Sequence, residues 1–270
     1  MSGKNRRRSW SRILTLFLSA VVFIFGCCIW VYPYANGVWM DYTLRQSAEE
    51  FLSFVRIDPA KPKEEISYVV IHSTEPEETE IPEETLPEQY PELWKQMKEY
   101  NERIYREEQS GLSDASSYEK PSFLLSDFGL ESEVFGVLSI PALNLEMPLY
   151  LGATYRHMAD GAAQMSETSI PIGGQNTNCV IAGHRGWNGA AYFLHIPNLK
   201  KGDIVTITNL WEVLAYEVVE TKIITPTDVE AIHIRENRDL ITLLTCHPPA
   251  TGGRERYLVF CERITELEVP

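Results

Sequence analysis

The chain has 270 residues, of which 44% are hydrophobic, and 38 acidic against 24 basic side chains leave a formal net charge of −14. That apolar fraction supports a sizeable core and excludes a wholly disordered chain. The acidic balance argues against nucleic acid, and against an anionic membrane surface, as a partner of the folded part.

The N-terminus opens on Lys4, Arg6, Arg7, Arg8 and Arg12, and residues 13–32 follow with only Thr15 and Ser19 as mildly polar interruptions. As a helix, an apolar run of this length spans about 30 Å, the thickness of a bilayer core. The basic cluster predicts a cytoplasmic N-terminus, and Trp30, Tyr32, Tyr34 and Trp39 form an aromatic belt on the far side. A cleaved signal peptide is the rival reading. The stretch is long for one and lacks a clean small-x-small cleavage site, which favours an uncleaved anchor with everything after Pro33 extracytoplasmic.

Leu44, Ala48, Phe51, Leu52 and Val55 have helical spacing, either continuing the membrane helix or packing on a domain. Residues 58–92 then change character, with Glu75-Pro76-Glu77-Glu78-Thr79 imperfectly repeated as Ile81-Pro82-Glu83-Glu84-Thr85. Such acidic, proline-rich chain buries too little to fold and reads as a stalk or surface loop. A helix is predicted over 91–109, with Leu93, Met97, Tyr100 and Ile104 on one face, proline in its first turn and Gly111 after its end. Residues 111–133 are irregular but carry Phe123, Leu124, Leu125 and Phe128, as suits a segment lying over a groove.

A compact domain is expected from Phe135 onward. The reading thus divides the chain into a basic tail (1–12), an anchor (13–32), a helix and acidic stalk (33–92), a helix with a possible lid (93–134) and a β domain (135–270). Short β-branched or aromatic runs occur at 137–140, 145–150, 179–182, 204–208, 213–219, 222–225, 240–245 and 257–263. Asn209-Leu210-Trp211-Glu212 reads as a hairpin loop between two of them. The pattern predicts a mainly β fold, a closed eight-stranded barrel with short helices, because closure removes the sheet edges.

Five cysteines are present, with no C-x-x-C pair. Cys179 and Cys261 read as small hydrophobes within strands, so neither a disulfide nor a metal site is expected, and no cofactor. Cys246 differs. The run Leu240-Ile241-Thr242-Leu243-Leu244-Thr245 ends on it, and after His247 the pair Pro248-Pro249 forces the chain out of the sheet. A second apolar run ends in Gly183-His184-Arg185-Gly186, and the last strand begins at Arg256. A thiol, an imidazole and a guanidinium at strand ends are the parts of a thiol acyl-transfer site. Thr245 is a candidate for orienting a peptide, although a buried strand threonine explains it equally well. His247 points to the opposite face from Cys246. His195 and His233 read as packing or surface residues, Arg185 as part of the turn after His184, and Arg254 as a loop residue after Gly252-Gly253.

Several motifs carry a family resemblance in the right order. Gly136-Val137-Leu138-Ser139-Ile140-Pro141, Pro148-Leu149-Tyr150-Leu151-Gly152 and Gly161-Ala162-Ala163 resemble the opening strands of sortases. The stretch Gly173-Gly174-Gln175-Asn176-Thr177 through Gly183-His184-Arg185-Gly186 is similar to the sortase histidine motif, and Thr242-Leu243-Leu244-Thr245-Cys246 resembles the family's T-L-x-T-C signature. The triplet at His184 and the long segment before the barrel most resemble class C, the pilin-polymerising group.

The resemblance implies a transpeptidase that cleaves an LPXTG-like sorting signal after its threonine. Cys246 would form the thioacyl intermediate, His184 would be the acid and base, and Arg256 the oxyanion or substrate clamp. Its implied partners are sorting-signal-bearing surface or pilin proteins and an amine from a pilin lysine or, in the alternative, the peptidoglycan cross-bridge. The remaining alternatives are a non-catalytic peptide-binding barrel and a papain-like protease, the latter disfavoured by histidine preceding cysteine in an all-β pattern. Asp127-Phe128 stands in the covering segment, 113–130, where a class C lid would carry Asp-Pro-aromatic, but without the proline. The usual second membrane helix has no counterpart before Pro270, so the expectation is an N-terminal anchor alone, or truncation.

Overall fold

The structure is a computed structural model that describes residues 3–55, 87–112 and 121–264, with side chains from Leu14 onward. Most of the acidic stalk and residues 113–120 therefore lie outside the described residues. One helix, α1 (Gly3–Val55), carries the whole N-terminal segment, with Pro33 inside it. At 1.5 Å per residue it is about 80 Å long. Its two halves differ in surroundings. Residues 14–35 are exposed and apolar, and α1 is long and apolar enough to cross a membrane. From Asn36 onward a stripe of Gly37, Leu44, Ala48 and Phe51 is buried at helical spacing against the domain.

The domain is a closed barrel in the order β1-β2-β3-β4-β7-β8-β6-β5. Its strands are β1 (Val134–Ile140), β2 (Leu145–Leu151), β3 (Ala162–Gln164), β4 (Thr177–Ala182), β5 (Ile204–Thr208), β6 (Val213–Ile224), β7 (Asp239–His247) and β8 (Glu255–Arg263). Eight strands were expected, but not these eight. The runs at 213–219 and 222–225 are one strand, β6, whose register shifts between Val218 and Glu220 where it pairs with β8. A bulge of this kind breaks the alternation without ending the strand. The missing strand is β3, three residues long and too short to show a period. The expected hairpin loop does join β5 to β6. The Asn209 side chain accepts hydrogen bonds from the amides of Trp211 (2.8 Å) and Glu212 (2.9 Å).

Period-two alternation sorts the strand residues onto two faces. Leu138, Ile140, Cys179, Ile181, Ile241, Leu243, Val259 and Cys261 fill the barrel interior. Both cysteines are buried free thiols pushed up in pKa by that burial, as expected of small hydrophobes. Val137, Val180, Ala182, Leu244, Leu258 and Phe260 face outward into a second cluster, which α2 (Pro91–Arg106) covers with Leu93, Met97, Tyr100 and Ile104. The helix is pinned there by Asn101, which receives the Ile170 amide at 2.8 Å and donates to the Ile170 carbonyl at 3.1 Å. Just past the helix, Gln109 accepts from the Ile234 amide at 2.6 Å.

Candidate active site

Topology gathers the three candidate residues at one rim. Strand β4 runs parallel to β7, so both finish at the same end of the barrel. Strand β8 is antiparallel to β7, so it starts there. His184 lies two residues beyond β4, Cys246 is the penultimate residue of β7, and Arg256 is the second of β8.

Cys246 and Arg256 are direct cross-strand partners and therefore share a face, the outward one that also carries Leu244 and Leu258. The Arg256 side chain is buried, and its Nη1 donates to the carbonyls of Gly253 at 2.6 Å and Glu255 at 3.0 Å. Arg254, the competing arginine, is exposed in the loop. Gly253 has φ +73°, and a methyl group there would come within 3.1 Å of Cys246 Sγ and 2.8 Å of Arg256 Nη1. Thiol and guanidinium thus line the same small space above a glycine backbone. Cys246 is half-buried and free.

The loop after β4 is tied to β7 at its root. The Gly183 amide donates to the Leu244 carbonyl at 3.0 Å, and the Thr245 hydroxyl donates to the Gly183 carbonyl at 2.7 Å. Thr245 is itself only 1% exposed, so in this structure it links two strand ends and does not face the groove. His184 stacks on Trp187, with centroids 4.4 Å apart and planes at 13°, and meets the edge of Tyr192 at 6.1 Å. Burial lowers its pKa below the ordinary histidine value, and its Nε2 is buried without a hydrogen-bond partner among the described residues. An imidazole in that state is neutral at neutral pH and poised to accept a proton.

Sequence reasoning missed three neighbours. Arg185, read as a turn residue, reaches the Cys246 carbonyl with Nη1 at 3.4 Å and lies over the Tyr257 ring at 6.0 Å. Trp187 and Tyr192 wall His184. Only the Asn188-Gly189 pair, a hairpin-turn signal, hinted that Trp187 would be held in a fixed place. His247 pairs with Glu255 and contacts Tyr257 on the other face of the sheet from Cys246. His195 is exposed, and His233 is half-buried beside Ile232, whose carbonyl accepts from Asn178.

Of the covering segment, the described part forms a short helix, Leu125–Phe128, closed by Gly129 at φ +81°. Asp127 is exposed, and Phe128 packs on the outer apolar cluster. The neighbourhood of this segment includes Leu151, Thr154, Arg156 and His157, with Pro121 set against Gly152. No group of three or more His, Cys, Asp or Glu among the described residues is arranged to hold a metal.

A closed mixed barrel with a strand-end cysteine facing an arginine, and a histidine on the adjoining loop, defines a thiol-bearing barrel of the sortase kind. The family model described as the sortase domain matches residues 138–264. The chain is 31% identical to a solved sortase C2 from pilus island 1 of Group B Streptococcus, covering 63% of this chain and 98% of that one at a TM-score of 0.51. It is 28% identical to the crystal structure of sortase C-1 from Actinomyces oris, covering 67% and 100% at a TM-score of 0.58. It is also 33% identical over 133 residues to a sortase A of Streptococcus agalactiae, covering 48% of this chain and 52% of that protein. The chain belongs to the sortase family. The matched part spans 64% and 52% of the lengths of the first two curated relatives.

Proposed function

We propose that this chain is a membrane-anchored transpeptidase of the class C type, joining sorting-signal-bearing pilin subunits through a lysine amine. The observation that carries the chemistry is the direct pairing of Cys246 with Arg256 across β7 and β8, with Gly253 leaving open the space between them. In the first half-reaction the Cys246 thiol gives its proton to neutral His184 as the sulfur attacks the threonine carbonyl of an LPXTG-like signal. A carbon–sulfur bond forms, the carbon–nitrogen bond breaks, and the imidazolium so formed gives that proton to the departing amine. In the second, an incoming lysine amine attacks the thioester, His184 takes the amine proton, and the thiol leaves. Arg256, already fixed by two backbone carbonyls, directs its remaining N–H groups at the oxyanion or the peptide carbonyls.

The pilin assignment is supported by the solved neighbours, which include sortase C enzymes. Sortase A proteins among the curated relatives favour a second reading, attachment of single surface proteins to the cell-wall cross-bridge. Asp127 and Phe128 remain the candidate lid residues of the first reading. The exposed apolar half of α1 supplies the anchor, with the N-terminus cytoplasmic and the barrel outside. Mass spectrometry of the protein with a panel of sorting-signal peptides tests the chemistry, with a thioacyl adduct on Cys246 as the expected result. Polymer ladders with a lysine-bearing pilin support the first reading. Transfer only to a cross-bridge amine supports the second, and turnover by Cys246→Ala overturns both.

A further inference from the structure

The loop that carries His184 closes on a tight turn at 187–190. The Trp187 amide donates to the Ala190 carbonyl at 3.0 Å, and the Ala190 amide returns a bond to the Trp187 carbonyl at 2.9 Å. Asn188 and Gly189 both have positive φ, 48° and 87°, the signature of a two-residue type I′ turn. With both ends bonded, such a turn moves as a unit.

Its tip sits on α1. Asn36 Nδ2 donates to the Asn188 carbonyl at 2.6 Å. Gly37 packs so closely on Gly189 that a methyl group at Gly37 would lie 2.7 Å from the Gly189 carbonyl carbon. Residues 36 and 37 are the first on α1 to leave solvent, immediately after the exposed apolar stretch. At the base of the same turn, Trp187 stacks on His184, and the edge of Tyr155 meets the indole at 6.2 Å. An unbroken chain of contacts therefore runs from the helix to the imidazole.

We propose that Asn36 and Gly37, where α1 first docks, form a positioning element of the catalytic site: they seat the 187–190 turn, and that turn holds the His184 ring against Trp187. The anchor helix thereby belongs to the machinery it tethers. Glycine is required at 37 by space and not by φ, since a larger side chain would have to lift the turn and carry Trp187 with it. The effect on turnover rests on the acid and base role proposed for His184. The seating of the ring does not.

The test uses the full chain in lipid nanodiscs, with Gly37→Leu and Asn36→Ala against Val38→Ala, a neighbour on the exposed side of α1. One readout is the His184 Hε1 resonance in histidine-labelled protein, assigned with His184→Gln, which indole stacking shifts upfield. The other is kcat and KM for a sorting-signal peptide. Gly37→Leu is expected to move the resonance to its position in Trp187→Ala. It should lower kcat by about ten- to a hundredfold with little change in KM, as misplacement of a catalytic group does. Asn36→Ala shifts both in the same direction by less, and it carries the test should Gly37→Leu not fold. Val38→Ala resembles the unaltered protein, and Gly37→Leu added to Trp187→Ala costs nothing further. An unmoved His184 resonance in folded Gly37→Leu and Asn36→Ala overturns the proposal. Absence of turnover in the unaltered chain would instead sink the assigned activity, while the resonances still decide the seating.

Discussion

Cys246 and Arg256 stand directly opposite one another on antiparallel strands, and Arg256 is held by the carbonyls of Gly253 and Glu255 before any substrate arrives. A guanidinium fixed in this way loses little freedom on binding a peptide, and its position is set by backbone, not by a mobile loop. Replacing Arg256 with lysine keeps the charge but loses the planar fork. Arg256→Ala should lower kcat by about 10²–10³-fold, the scale for removing one oxyanion donor. Arg256→Lys should recover only a small part of this, as read in peptide-cleavage kinetics.

The glycines of the β7–β8 loop separate strain from space. Gly252 and Gly253 share a φ near 72°, but only a side chain at 253 meets the thiol and the guanidinium; at 252 there is nothing within 4 Å. Alanine at either position should therefore cost about 1 kcal/mol of stability through backbone strain. Activity should fall at least tenfold in Gly253→Ala and stay within about twofold in Gly252→Ala. Equal activities in the two variants would remove Gly253 from the site.

His184 makes a pH prediction with a definite sign. Its pKa lies below the unfolded value of 6.5 because burial disfavours the imidazolium. Between the two values the unfolded chain holds the extra proton, so stability is full above pH 6.5 and falls as the pH drops through that window. The difference between the unaltered protein and His184→Gln, followed by thermal unfolding from pH 7.5 downward, should narrow on acidification. A difference that widens would reverse the assignment of burial as the cause.

Thiol chemistry is the simplest to test. Cys246→Ala should abolish the thioacyl adduct and transfer while leaving the unfolding midpoint nearly unchanged, because the side chain is only half-buried. Retained transfer in that variant would exclude the covalent route.

The outer cluster has its own consequence. Met97 is fully buried between α2 and the barrel, so Met97→Ala should cost about 2–5 kcal/mol. Denaturation should show this loss. A small effect would mean that α2 undocks easily.

Much of this protein can be read along the chain. The apolar segment, the amphipathic stripe at Leu93, Met97, Tyr100 and Ile104, the Asn209 hairpin loop and most strands are local patterns, because burial on one face imposes a period on neighbouring residues. So is the thiol at a strand end, since Pro248 and Pro249 can only stop the ladder. The different placement of Arg256 and Arg254 was legible for the same reason: one leads a strand and the other follows two glycines. The bulge in β6 and the three-residue β3 escaped, because a bulge breaks the period and three residues cannot establish one.

What only the tertiary structure decided depends on contacts between segments far apart in sequence. Parallel pairing of β4 with β7 and antiparallel pairing with β8 bring His184, Cys246 and Arg256 to one rim, and no local pattern specifies which strands will be neighbours. The same holds for Arg185 on the Cys246 carbonyl and for Thr245, whose hydroxyl is taken by Gly183. Trp187 is placed on His184 by a turn that closes on itself and rests on α1, where Asn36 is bonded to Asn188, 152 residues further along the chain. The sequence by itself determined which side chains are candidates for the chemistry and which elements carry them. Barrel closure decided which of them meet, because hydrogen-bonded strand order is a property of the whole sheet.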